Sequence, residues 1–195
     1  YAFPSGHTQT FSTVLYGLAY YIRKRFLTII VLILTILMAI SRVYLGVHYI
    51  EDVLVSLLLG FLMSYGMYRF YKKYGDNFRA VFILYASVLL VFLMAIIFIQ
   101  TKTFITTAGM FTGFVVAMYI EKTYVNFTND VPLKARVIRV VIGLITMLGI
   151  QSGLKEIFLL FTSGQEILFF DFIRYFTLVF VGLGLLPMLF KKINI

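Results

Sequence analysis

The sequence predicts an all-α protein, a polytopic transmembrane helix bundle with about seven spans. Three observations carry that expectation. Of its 195 residues, 62% are hydrophobic and 13% charged, and mean hydropathy is +0.99, whereas a water-soluble domain is roughly half apolar and a quarter charged. Apolar runs punctuated by charge recur seven times, each approaching the roughly 20 residues that a helix needs to cross a hydrocarbon core. The basic residues gather in alternate connections, the signature of a chain threaded through a membrane.

Taken in order, the helical segments are expected near 5–22, 26–42, 49–71, 79–100, 104–121, 136–160 and 167–190. If the first runs from outside to inside, the cytoplasmic connections hold Arg23, Lys24 and Arg25, then Arg69, Lys72, Lys73 and Arg79. Further along they hold Lys122, Lys134, Arg136 and Arg139, and finally Lys191 and Lys192. Thirteen of the 17 basic residues then lie inside, and Arg42, Lys102, Lys155 and Arg174 lie outside. The net charge of +9 is on this reading a topology signal with some attraction for anionic lipid headgroups, and no sign of a nucleic-acid partner. There is no cysteine, which removes disulfide and thiolate chemistry. Two histidines cannot build a zinc site unaided, so no metal or cofactor is expected. The chain opens on Tyr1 with no charged or cleavable leader, and a missing upstream part is the expectation.

Two short strings hold most of the chemistry. The first is Pro4-Ser5-Gly6-His7, and the second runs from Ser41-Arg42 through Gly46 and His48 to Asp52. Residues 8–41 contain two crossings, so a chain leaving one face at His7 returns to it by Ser41, and the strings can meet. About 17 residues per crossing give roughly 25 Å of helix, short of a core of about 30 Å. The site is therefore expected slightly below the outer interface, where a lipid headgroup could enter sideways.

The residue types suit phosphoryl transfer. His48 and Asp52, four apart at the start of an apolar helix, are expected one turn apart on one face, the carboxylate fixing one imidazole nitrogen and leaving the other as nucleophile or base. Arg42 offers a planar fork for phosphate oxygens. Ser5 and Gly6 stand at a helix start, where free backbone amides and the dipole favour an anion. His7, in the same turn, can act as general acid. Taken singly, each has an ordinary structural reading: a packed histidine, a surface ion pair, an interfacial arginine, an N-terminal cap. Both histidines of the chain fall inside the two strings.

In this combination the strings resemble the signature of the type 2 phosphatidic acid phosphatase family, which shares its site with vanadium haloperoxidases. The resemblance covers mainly residues 1–72, which look like the last three helices of a six-helix core. It implies a lipid phosphatase in which His48 attacks phosphorus to give a phosphohistidine, Asp52 orients it and His7 protonates the leaving group. Arg42, Ser5 and Gly6 hold the phosphate, and no metal takes part. The implied substrate is a membrane lipid phosphate or polyprenyl pyrophosphate, handled at the extracytoplasmic face of the cell membrane. Two departures stand out. The family's earlier lysine and Arg-Pro string has no counterpart here, and residue 50 is Ile where many members carry proline. The alternative from another class is an inactive lipid-binding or transport protein that retains the site.

Residues 73–195 are expected to form a four-helix transmembrane extension. Gly109 with Gly113 and Gly149 with Gly153 are small-xxx-small pairs, read as close contacts between adjacent antiparallel helices. Lys155, Glu156, Glu166, Asp171 and Arg174 are expected as solvated interfacial pairs. The sequon at Asn126 falls in an expected cytoplasmic loop and is set aside.

Overall fold

The structure, a computed structural model, describes residues 3–128, 130–161 and 167–193. Among these every regular element is a helix: α1 (Gly6–Ile22), α2 (Arg25–Tyr44), α3 (Ile50–Tyr74), α4 (Phe78–Ala95), α5 (Lys102–Ile120), α6 (Leu133–Phe161), α7 (Leu168–Phe180) and α8 (Leu186–Lys192). A π turn, Glu121–Val125, extends α5, and another, Val181–Leu185, joins α7 to α8. The protein is thus an all-α polytopic membrane protein with seven rods where seven apolar runs stand in the sequence. Six of the rods are long and apolar enough to cross a membrane. The first differs from expectation in that respect: α1 has 17 residues and opens Gly-His-Thr-Gln-Thr, so its N-terminal turns are polar.

The chain divides into two compact units, Tyr1–Val81 and Phe82–Ile195. In the first, α1 packs chiefly on α3 and also against α2. Lipid tails are as apolar as leucine, so small residues that let backbones approach do the work that hydrophobic burial does in water. Along α3 the sequence places Ser56, Gly60 and Ser64 at four-residue intervals, all buried. Ser56 Oγ donates to the Ser5 carbonyl at 3.0 Å and Ser64 Oγ to the Thr13 carbonyl. At Gly60 an added Cβ would collide with Ser12 Oγ. The opposite faces of the unit are apolar and open, with Ile33, Ile36, Leu37 and Ile40 of α2 all exposed, as suits lipid-facing positions.

In the second unit the close helix pair is α5 with α7. A Cβ on Gly109 would sit 2.5 Å from the Phe172 carbonyl oxygen and one on Gly113 2.6 Å from that of Phe176. Since 109 faces 172 and 113 faces 176, the two helices run parallel. The expected partner α6 is not the one used, because Gly149 and Gly153 have nothing within 4 Å and none of the 29 residues of α6 is buried. The charged cluster also departs from expectation. Asp171 and Arg174 lie inside the unit, 6% and 7% exposed, joined at 2.8 Å from Nη2 to Oδ1, with Lys102 Nζ 3.9 Å from the other carboxylate oxygen. One turn of α7 brings the pair together, and its enclosure by neighbouring helices removes it from water. Lys155 and Glu156 are exposed as expected, and Glu166 lies outside the described residues.

Candidate active site

Local chain chemistry sets the second string's shape. Helix α2 runs through Arg42 and stops because Gly46 adopts φ +65°, a conformation that costs glycine little. The Gly46 N–H then donates to the Val43 carbonyl at 2.9 Å and the Val47 N–H to that of Arg42 at 3.2 Å, the paired turn that closes helices at a glycine. After this turn Tyr49 caps α3 in extended conformation. Asp52, the third residue of α3, reaches back so that Oδ2 accepts from the Tyr49 backbone N–H at 3.0 Å. The same oxygen lies 3.3 Å from His48 Nδ1.

His48 therefore stands in the loop ahead of the helix and not on its face, as the four-residue spacing had suggested. The contact forms because the capping carboxylate holds both the loop backbone and the imidazole. Protonated at Nδ1, the ring donates to Asp52 and leaves Nε2 free as nucleophile or base. Asp52 and the His48 side chain are both nearly buried, so the contact is shielded from water on most sides.

The first string meets this loop through the backbone. Ser5 is fully buried as N-cap of α1, its N–H donates to the Asp52 carbonyl at 3.4 Å and its hydroxyl pairs with Thr8 at 3.1 Å. Ser56 Oγ bridges the two strings, within 2.7 Å of the Asp52 carbonyl and 3.0 Å of the Ser5 carbonyl. Gly6 is exposed and no atom lies within 4 Å of where its Cβ would be, which leaves room for a ligand against the first amides of α1. His7 is exposed beside it. With Thr10, Phe11 and Met38 these two residues line a lateral groove of about 610 Å³ between α1 and α2. Arg42 is half-buried and its Nε donates to Ser41 Oγ at 3.4 Å. Among the described residues it pairs with no carboxylate, so its fork is available to an anion.

The structure thus joins Ser5, His48 and Asp52 into one hydrogen-bonded assembly, and no hydrogen bond among the described residues ties His7 or Arg42 to His48. Sequence reasoning missed Ser56 and Thr8. The signal for Ser56 was present in the Ser56-Gly60-Ser64 spacing, a small-xxx-small run beginning one turn after Asp52.

Comparison with known proteins gives the family. Residues 1–76 match the family described as "PAP2 superfamily", and residues 105–195 match "PAP2 superfamily phosphatase, transmembrane extension". The chain belongs to the PAP2 superfamily. It is similar to phosphatidylglycerophosphatase B of Bacillus subtilis (strain 168), at 35% identity over 82 residues, covering 37% of this chain and 40% of that protein. It is also similar to lipid A 4'-phosphatase of Porphyromonas gingivalis, at 30% identity over 71 residues, covering 36% and 30%. The chain therefore spans less than half the length of each of these curated relatives. No solved structure matches it.

Proposed function

We propose that this chain carries the catalytic site of an integral membrane lipid phosphatase that works through a phosphohistidine. Residues 1–72 form half of the catalytic core, and residues 73–195 form a transmembrane extension. The observation that carries the reading is the His48–Asp52 contact set beside the open start of α1. Phosphate oxygens lie against the Ser5 and Gly6 end of α1 and the Arg42 fork, where backbone amides and a guanidinium meet the charge that develops on the transferred group. His48 Nε2 attacks phosphorus as the bond to the leaving oxygen breaks, and His7 gives that oxygen a proton. Water then attacks the phosphorus, His7 takes its proton, the P–N bond breaks, and phosphate leaves with His48 restored.

The substrate is a lipid phosphate or isoprenoid pyrophosphate, in keeping with the lipid substrates in the relatives' names. Its apolar part enters through the groove beside His7, which opens sideways between α1 and α2. The site faces the extracytoplasmic side of the cell membrane, the side away from most basic connections. Phosphate release from phosphatidic acid, phosphatidylglycerol phosphate and undecaprenyl pyrophosphate by the full-length protein tests the proposal. Turnover of at least one, abolished by His48→Ala, is expected. Binding without release of any of them would refute the phosphatase reading in favour of a lipid-binding or transport protein.

A further inference from the structure

The end of α1 remote from Ser5 carries a second feature that the proposed chemistry does not use. There α1 and α3 leave a groove of about 490 Å³ lined by Gly17, Tyr20, Tyr68, Tyr71, Arg23 and Lys72, among others. Its construction follows from the sequence. Gly17 has no atom within 4 Å of a would-be Cβ, so the floor is open. Tyr20 and Tyr68 stack with centroids 5.2 Å apart, and the Arg23 guanidinium lies 5.4 Å from the Tyr68 ring centre. Arg23 is held there because it ends α1 in the left-handed conformation, φ 56°, its N–H bonded to the Ala19 carbonyl. Lys72 is exposed on α3. No carboxylate lines the groove.

Tyrosines with an apolar ring and a polar tip are suited to the level of lipid headgroups. Arginine matches phosphate oxygens with its planar fork. We propose that this groove holds one anionic phospholipid, its phosphate between Arg23 and Lys72 and an acyl chain along Gly17 toward the middle of the bilayer. A zwitterionic choline headgroup brings its own cation against these two and is disfavoured. The groove runs from Thr13 to Arg23 along α1, and the 17 residues of α1 put its Arg23 end roughly 25 Å along the helix from Ser5 and Gly6. The lipid is therefore held in the leaflet opposite the one that presents substrate, as a resident and not as a reactant.

Native mass spectrometry of the full-length protein, released from nanodiscs of phosphatidylcholine with a minority of phosphatidylglycerol, reads the bound lipid directly. Retention of one phosphatidylglycerol per protein is expected, reduced about fivefold by Arg23→Ala or Lys72→Ala, the change expected for one cation near an anionic headgroup. Gly17→Leu, which fills the floor without altering charge, is expected to reduce retention as well, so the test survives if Arg23→Ala fails to fold. Arg25→Ala, a cation outside the groove, and Arg42→Ala, at the other end of the unit, are expected to leave retention unchanged. Equal retention of the two lipids, retention indifferent to Lys72→Ala and Gly17→Leu, or an equal loss in Arg25→Ala would overturn the proposal. Loss in Arg42→Ala would also overturn it, by assigning the lipid to the catalytic end.

Discussion

Replacing Asp52 by Asn separates the role of the carboxylate in chemistry from its role in folding. The two bonds to Oδ2, 3.0 Å from the Tyr49 N–H and 3.3 Å from His48 Nδ1, end on one oxygen, which an amide supplies without the charge. Its oxygen can still accept from the Tyr49 N–H, so the cap of α3 survives. The lost item is the negative charge, worth about 0.3–1 kcal/mol at a helix start and, in the reaction, the counter-charge to the imidazolium that forms on His48. With the amide turned over, its NH₂ group faces Nδ1 and stabilises the tautomer protonated at Nε2, which has no lone pair with which to attack phosphorus. Where a buried carboxylate orients a catalytic histidine, the same exchange lowers kcat by about 10⁴. The expectation is therefore a fall of about 10³–10⁴ in kcat with stability changed by less than about 1 kcal/mol. Phosphate release from a short-chain lipid phosphate in detergent, beside a thermal melt followed by circular dichroism, measures both. A properly folded Asp52→Asn protein that keeps more than about a tenth of its kcat would refute the assignment of Asp52 as the positioning group.

Four further outcomes follow from the structure. His7→Ala should slow hydrolysis of an alkyl phosphate by about 10²–10⁴ but an aryl phosphate far less, because a phenolate leaves without a proton; equal losses would remove His7 from the acid role. Activity should persist in EDTA and be inhibited by vanadate as a mimic of five-coordinate phosphorus, and loss on chelation with recovery on adding magnesium would contradict the histidine mechanism. Asp171→Ala leaves the Arg174 guanidinium buried without its partner and should cost about 3–5 kcal/mol, seen as a lower melting temperature; an unchanged melt would mean that the pair is hydrated in the membrane. Single cysteines at Val47 and Gln100 should react with an impermeant thiol reagent from outside the cell and those at Lys24 and Lys73 should not; the opposite labelling would invert the proposed topology.

The helices were legible because charges interrupt apolar runs at several connections: Arg23 and Lys24 fall between α1 and α2, Arg25 opens α2, and Lys72 and Lys73 close α3. Spacing also foretold the His48–Asp52 contact but gave the wrong reason for it. Periodicity carries no information about where a helix begins, and only the Gly46 turn and the Tyr49 cap place His48 outside α3. Partner choice was not legible. Gly109–Gly113 and Gly149–Gly153 are identical patterns, yet α7 covers only the first, since which helix lies opposite depends on contacts distant in sequence. The burial of Asp171 and Arg174 was hidden for the same reason: a pair three residues apart looks alike in a headgroup layer and between packed helices.

The row Ser56, Gly60 and Ser64 gives α1 and α3 a fixed alignment with a step of one helical turn. Ser12 fits only where α3 lacks a side chain, and the two serine hydroxyls latch onto the Ser5 and Thr13 carbonyls eight residues apart. A slide of α1 by a fraction of a turn would drive Ser12 into the neighbouring side chains of α3 and break both latches at once, and a full turn is about 5.4 Å. Motion between these helices is thereby confined to rocking about the row, without translation. The first amides of α1 and the imidazole of His48, which the Asp52 cap fastens to the start of α3, keep a constant separation as the bilayer around them thickens or thins.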